Sequence, residues 1–296
     1  MKVEDKMSFS EKQILEKIES ARENYAKKNY GEAITLYEQV AKILKDDADN
    51  LPIIQIELGW SYYNSLSYAK AINNFRKALE SNKLTSQQAF DCKRLIGFSE
   101  ELQGNRKEAI QNLYQALDMD ISESLKKYTF FELGKIYFLD GQMIEAEHYL
   151  KKAESLFKPD ELSYTLALAY YLGFTSYFLK KLKDSRNYFD FIITHADDHK
   201  TKAGGYFGLT HLHYHQKEYP VVTDLCEKIM RLDESFYDKE TLGFFLCESY
   251  YQLKSWDHLD NFFGQLQQQY PTGRYAGEYE KYRYGIEHRK QRDHSK

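Results

Sequence analysis

The chain has 296 residues, with 41 Lys+Arg against 45 Asp+Glu for a formal charge of −4, and only 4 prolines. So little proline, against roughly 5% in average usage, excludes a loop-rich all-β fold or a disordered linker and favours long uninterrupted helices. The 26 Tyr, 18 Phe and 2 Trp supply a core, while three widely spaced cysteines (Cys92, Cys226, Cys247) support neither a disulfide framework nor a Cys-based zinc site, so a reducing, cytoplasmic setting is expected.

Met1 to Lys6 carries acids where a signal peptide needs basic residues, and no apolar run follows, so secretion by that route is not expected. Residues 1–13 read as a lead-in. From residue 14 to 273 a repeat organises the sequence. Leu58-Gly59-x-x-Tyr62, followed by Tyr68, Ala71, Phe75 and Ala78, returns as Leu133-Gly134-x-x-Tyr137, followed by Ala146, Leu150 and Ala153. The residue opening the second helix of each unit is Ala33, Ala71, Ala109, Ala146, Ser185, Val222 and Leu259, at intervals of 37 to 39 residues. Twelve residues earlier, the first helix carries Ala21, Gly59, Gly97, Gly134, Gly173, Thr210 and Cys247. Small residues at both places let two antiparallel helices approach closely at their crossing. Four positions after the second marker a large side chain (Tyr37, Phe75, Leu113, Leu150, Phe189, Phe263) is expected to fill the space between neighbouring units. Seven units fill the chain.

The spacing predicts helix starts at Pro52, Pro159 and Pro220 and a helix end at Pro271. Lys158-Pro159-Asp160 lies where the small-residue pattern changes, and a sub-boundary is expected near 158–160. Leu162 to Leu179 runs 18 residues without a charge, the length at which a membrane span becomes feasible, but its four tyrosines, its serines and threonines and the lack of a basic flank place it as the fifth unit's first helix. Residues 274–289 read as a helix closing the stack, and 290–296 as a basic flexible tail. From Lys281 onward six basic residues face two acidic ones, which makes this end +4 and the remaining body −8.

The Leu-Gly-x-x-Tyr, Ala-x-x-x-Phe and terminal Pro271 elements resemble the tetratricopeptide repeat family. The resemblance implies an all-α, right-handed superhelical solenoid of helix-turn-helix pairs, whose concave face binds an extended peptide or a helix of another protein. The period exceeds the family's by three to five residues, and Asp46 to Asn50 and Asn82 to Ser86 are candidate longer turns. Ser185, Val222 and Leu259 depart from the small second-helix residue, so those pairs are expected to be more widely spaced. The family's clamp for a C-terminal carboxylate needs Lys and Asn on adjacent inward positions, which this sequence does not supply.

One position round the helix from the packing stripe, about 100° away, residues face the inside of such a stack. The position beside the unit's tyrosine is Tyr25, Tyr63, Glu101, Phe138, Tyr177, Tyr214 and Tyr251; three earlier come Arg22, Trp60, Phe98, Lys135, Phe174, His211 and Glu248; four earlier again, Ile18, Ile56, Arg94, Phe131, Tyr170, Phe207 and Phe244. The partner-binding candidates are therefore Trp60, Tyr63, Phe98, Phe131, Phe138, Tyr170, Phe174, Tyr177, Phe207, His211, Tyr214, Phe244 and Tyr251, because Tyr and Trp bury much area at low rotamer cost and interfaces enrich them. The competing reading is that individual rings pack between helices and expose only edges.

His195/His199 and His211/His215 are i,i+4 pairs, a spacing that can put two imidazoles on one metal; the alternative is a solvated cluster lining the groove. No phosphate loop, nucleophile elbow or His-Glu-x-x-His occurs, so the chain is expected to be no enzyme and to need no cofactor. The acidic body argues against nucleic acid. The repeats begin within the first twenty residues, so no DNA-reading helix-turn-helix is expected ahead of them. The expected function is a protein-interaction module, scaffold, adaptor or chaperone, that binds an apolar or amphipathic peptide or helix in an aromatic concave groove, with a peptide-gated regulator, or a metal-binding protein using the cluster from His195 to His215, as the alternatives.

Overall fold

In a computed structural model, residues 10–294 are described, and the lead-in before Ser10 and the tail's last two residues lie outside them. Every described element is helical. The chain divides into two compact units, Met1–Asp140 and Gly141–Lys296. The division falls between the two helices of the fourth repeat, whereas residues 158–160 lie inside the second unit.

The first unit contains α1 (Glu11–Ala26), α2 (Tyr30–Ile43), α3 (Leu51–Asn64), α4 (Tyr68–Glu80), α5 (Ser86–Leu102), α6 (Arg106–Leu117) and α7 (Glu123–Leu139), each packed on the next. Helix α1 starts at a capping box: the Ser10 hydroxyl accepts from the Gln13 amide, and the Gln13 side chain accepts from the Ser10 N–H. Thr85 and Gln88 repeat the device at α5. Pro52 sits in the first turn of α3, where its missing N–H costs nothing.

The second unit contains α8 (Met143–Glu154), α9 (Leu162–Phe178), α10 (Leu182–His195), α11 (His199–His215), α12 (Tyr219–Leu232), α13 (Lys239–Gln252), α14 (Trp256–Gln269) and α15 (Tyr279–His294). Pro220 lies in the first turn of α12 and Pro271 follows α14; Pro159 precedes α9 by a short linker rather than opening it. Among the described residues no helix is long and apolar enough to cross a membrane, and α9 is covered by α8, α10 and α11.

The repeat markers are the core. Ala33, Ala71, Ala109, Ala146, Ser185, Val222 and Leu259 have no exposed surface, and their first-helix counterparts are buried too. A Cβ on Gly59 would stand 2.6 Å from the Phe75 ring, and one on Gly173 2.6 Å from Phe189, so the large residue of each pair seats on the glycine of its own repeat. Phe189 also reaches the next repeat, where a Cβ on Gly208 would meet it at 2.2 Å. It therefore closes a hairpin and a repeat junction together.

Each hairpin turns through one residue of positive φ: Lys28, Leu66, Gly104, Gly141, Lys180, Lys217 and Lys254, at the same repeat interval as the markers. In six of them the turn is a Schellman motif. Lys28 N–H donates to Tyr25 C=O and Asn29 N–H to Asn24 C=O; Leu66/Ser67, Gly104/Asn105, Lys180/Lys181, Lys217/Glu218 and Lys254/Ser255 repeat the pattern.

Candidate functional site

The stripe of rings in the last turn of each first helix has a local task as well as an outward edge. Tyr25 packs edge-on against Tyr30 at 5.5 Å, Tyr63 against Tyr68 at 5.8 Å, Tyr214 against Tyr219 at 6.3 Å and Tyr251 against Trp256 at 5.9 Å. In each case the partner is the residue that opens the next helix, so the pair clasps the turn. In the third repeat the charges of Glu101 and Arg106, 3.8 Å apart, take that place.

In the first unit, Trp60 borders a hollow of 300 Å³ with Arg22, Tyr25, Tyr37 and Glu57. Its floor is polar: Arg22 Nε donates to Glu57 at 3.0 Å, and the Tyr37 hydroxyl also donates to Glu57. Phe98 is half-buried with the Arg94 guanidinium 5.4 Å from its ring; Phe131 and Phe138 are half-buried.

The second unit holds the larger cluster, spread over three successive first helices, α9, α11 and α13. His211 is its centre, with rings at 5.4 Å (Phe174), 5.7 Å (Tyr177), 4.7 Å (Phe207) and 4.9 Å (Phe245). Tyr214 continues the cluster onto Phe245 at 4.7 Å and Phe244 at 5.8 Å. Burial among these rings pulls the His211 imidazole down to about 4, with Asp238 opposing the change, so it is neutral at pH 7. Burial raises the phenols of Tyr170, Tyr177 and Tyr214 as well. The cluster is uncharged at neutral pH and polar only at its rim.

The candidate rings of the second unit divide into three groups. Tyr170, Tyr177, His211 and Tyr214 keep part of their surface open. Phe174 and Phe207, expected to line a groove, are 6% and 3% exposed and hold the cluster from beneath. Phe207 is covered by Phe236 at 5.1 Å and Tyr237 at 5.9 Å, from the segment leading into α13, and Tyr237 hydrogen-bonds the Tyr170 hydroxyl. Phe244 and Tyr251 are engaged by the C-terminal segment: Tyr275 stacks on Phe244 at 4.1 Å, and Tyr282 and the Lys281 ammonium lie 5.9 and 5.4 Å from the Tyr251 ring. Helical periodicity could not find Phe236, Tyr237 and Tyr275, because they stand outside the regular helices of the repeat. Phe245 was within reach of it, one residue from Phe244.

Among the described residues the histidines are not grouped with other ligands as a metal site would need. His211 is boxed by rings, and the His195 Nδ1 pairs with the Phe191 carbonyl at 2.9 Å inside its own helix. Among the described residues no three His, Cys, Asp or Glu side chains are grouped to hold an ion. All three thiols are buried; Cys92 and Cys247 are pushed up to about 12 by desolvation and Cys226 is raised too, so none is a thiolate at neutral pH.

No family model matches the sequence, and no curated protein matches it. Solved structures do. The chain is similar to the apo form of RapI (13% identity over 90% of this chain and 79% of that one, TM-score 0.69). It is also similar to the apo form of the quorum sensor NprR from B. thuringiensis (16% identity, 86% and 76% covered, TM-score 0.64). A third structure is the C-terminal part of a TPR repeat-containing protein from Cytophaga hutchinsonii (16% identity, 88% and 98% covered, TM-score 0.60). At these identities the likeness is one of fold. The chain is an all-α solenoid of tetratricopeptide-type helix pairs.

Proposed function

We propose that the chain is a non-catalytic protein-interaction module whose second unit receives an extended, apolar segment of another protein across Tyr170, Tyr177, His211 and Tyr214. One observation carries this reading: an uncharged ring cluster, fixed from beneath by Phe174, Phe207 and Phe245, keeps partly open edges on consecutive first helices. Rigid amphipathic rings lose little entropy when they are covered, so such a patch favours binding over mere solvation. The protonated, buried thiols support a role without covalent chemistry. The quorum sensor NprR, a sensor on the same fold, supports a reading in which occupancy of the patch carries a signal.

Random peptides of about 12 residues, displayed and panned against the full chain, test the proposal. Enriched peptides should carry at least two large apolar side chains. Replacing Tyr177 and Tyr214 together by alanine should weaken them about tenfold or more while helical content is kept, as expected for anchor rings. Enriched peptides that bind the double variant as tightly as the parent would overturn it.

A further inference from the structure

At three of the junctions between consecutive repeats the stack leaves a hollow, in equivalent register, bounded by two second helices and the first helix between them. Its size follows the residue three positions after the second-helix marker: 640 Å³ between α2, α3 and α4, where that residue is Asn74; 470 Å³ between α8, α9 and α10, where it is Tyr188; and 280 Å³ between α12, α13 and α14, where it is Phe262. In the Tyr188 hollow Tyr188, Glu154 and Lys151 satisfy one another. Tyr188 OH donates to Glu154 at 3.0 Å, and the Lys151 ammonium donates to Tyr188 and, at 2.9 Å, to Glu154.

The Asn74 hollow has no such closure. Four exposed lysines, Lys42, Lys45, Lys70 and Lys77, line it, and none makes an ion pair among the described residues. Its single lining carboxylate, Glu38, is occupied by the Tyr62 hydroxyl at 2.5 Å. The amides of Gln55, Asn73 and Asn74 complete the wall. The lining is thus +3 in a chain of net charge −4.

We propose that this hollow is a binding site for a compact anion bearing several phosphates. Four ammonium groups on flexible stems line the hollow as point charges, a form in which lysine binds phosphate. The volume is that of a small-molecule site. A long polyanion would also meet the acidic remainder of the chain, whereas a compact one meets only the lysines. Tyr62 is 5% exposed and offers no stacking face, so recognition is of the phosphates and not of a base. The site lies in the first unit and is independent of the aromatic patch.

Calorimetric titration of the full chain with inorganic tripolyphosphate at about 150 mM salt tests it. One site per chain is expected. The triple variant Lys42→Gln, Lys70→Gln, Lys77→Gln should weaken binding about thirtyfold or more with unchanged melting, because all three side chains are exposed. Lys151→Gln, in the self-satisfied hollow, should leave it unchanged. Asn74→Tyr, which installs the plug of the other hollow, should remove it. Three results would overturn the proposal: no binding at millimolar tripolyphosphate, binding that the triple variant retains, or single-stranded RNA or an acidic peptide binding tighter than tripolyphosphate through the same lysines.

Discussion

Five hairpin turns place a residue with a Cβ at φ between 56° and 63°: Lys28, Leu66, Lys180, Lys217 and Lys254, where two others use glycine. The left-handed conformation costs an L-residue about 1–2 kcal/mol, and glycine loses part of that advantage through its freer unfolded state. Leu66 is 71% exposed, so its side chain contributes little packing in return. Leu66→Gly should therefore stabilise the fold by about 0.5–1 kcal/mol, and Gly104→Ala should destabilise it by about 1 kcal/mol. Urea midpoints with unchanged slopes would show it; equal midpoints for both would mean that the turns relax. His211 gives the second residue-scale expectation. Its folded pKa, about 4, lies below the unfolded value near 6.5, so the folded state binds fewer protons in that interval. The contribution is fully present above pH 6.5 and is lost as the pH falls from there towards 4, by up to about 3 kcal/mol. His211→Phe keeps a ring in the box and removes the titration, so its stability should fall less than the parent's between pH 7 and pH 4.5. Parallel pH profiles for the two chains would exclude a buried neutral imidazole.

At the scale of elements, the informative helix is α15, which takes the place a further repeat would occupy beside α13. Glu248 on α13 is 6% exposed and stays ionised. Burial opposes its charge, but bonds donated by Lys281 at 2.6 Å, Gln252 at 2.8 Å and Tyr282 at 2.8 Å outweigh that and hold its pKa below the usual carboxylate range. Arg274 reaches back to Asp238 and Glu240 in the same way. The C-terminal segment thus covers the inner face of the last repeat, which explains why Phe244 and Tyr251 belong to the cap and not to the open patch. A closing helix was legible in the sequence, but its hold on Glu248 was not, since position 248 reads there as one acid among inward-facing rings. The segment from Asp233 to Asp238 poses the same difficulty: nothing periodic announces that Phe236 and Tyr237 fold over Phe207.

For the whole molecule, what the sequence disclosed is what the repeat enforces. Every marker that needed to be small or apolar at a helix crossing is buried, because a bulky side chain there would force the pair apart; the failures lie where the chain leaves the repeat. A molecule built this way should distribute its stability locally, since each pair packs mainly on its neighbours. Glu248→Ala takes the acceptor from Tyr282 and Gln252 and leaves Lys281 only Glu278, and the loss of these charge-assisted bonds should cost about 3 kcal/mol. In an array of nearest-neighbour contacts that loss belongs to α13, α14 and α15. Hydrogen exchange followed segment by segment should show protection there falling by about a hundredfold, while α1 to α6 exchange as in the parent chain. An equal loss of protection along all helices would instead mean that the chain opens as one cooperative body, and that the repeat governs its packing but not its unfolding.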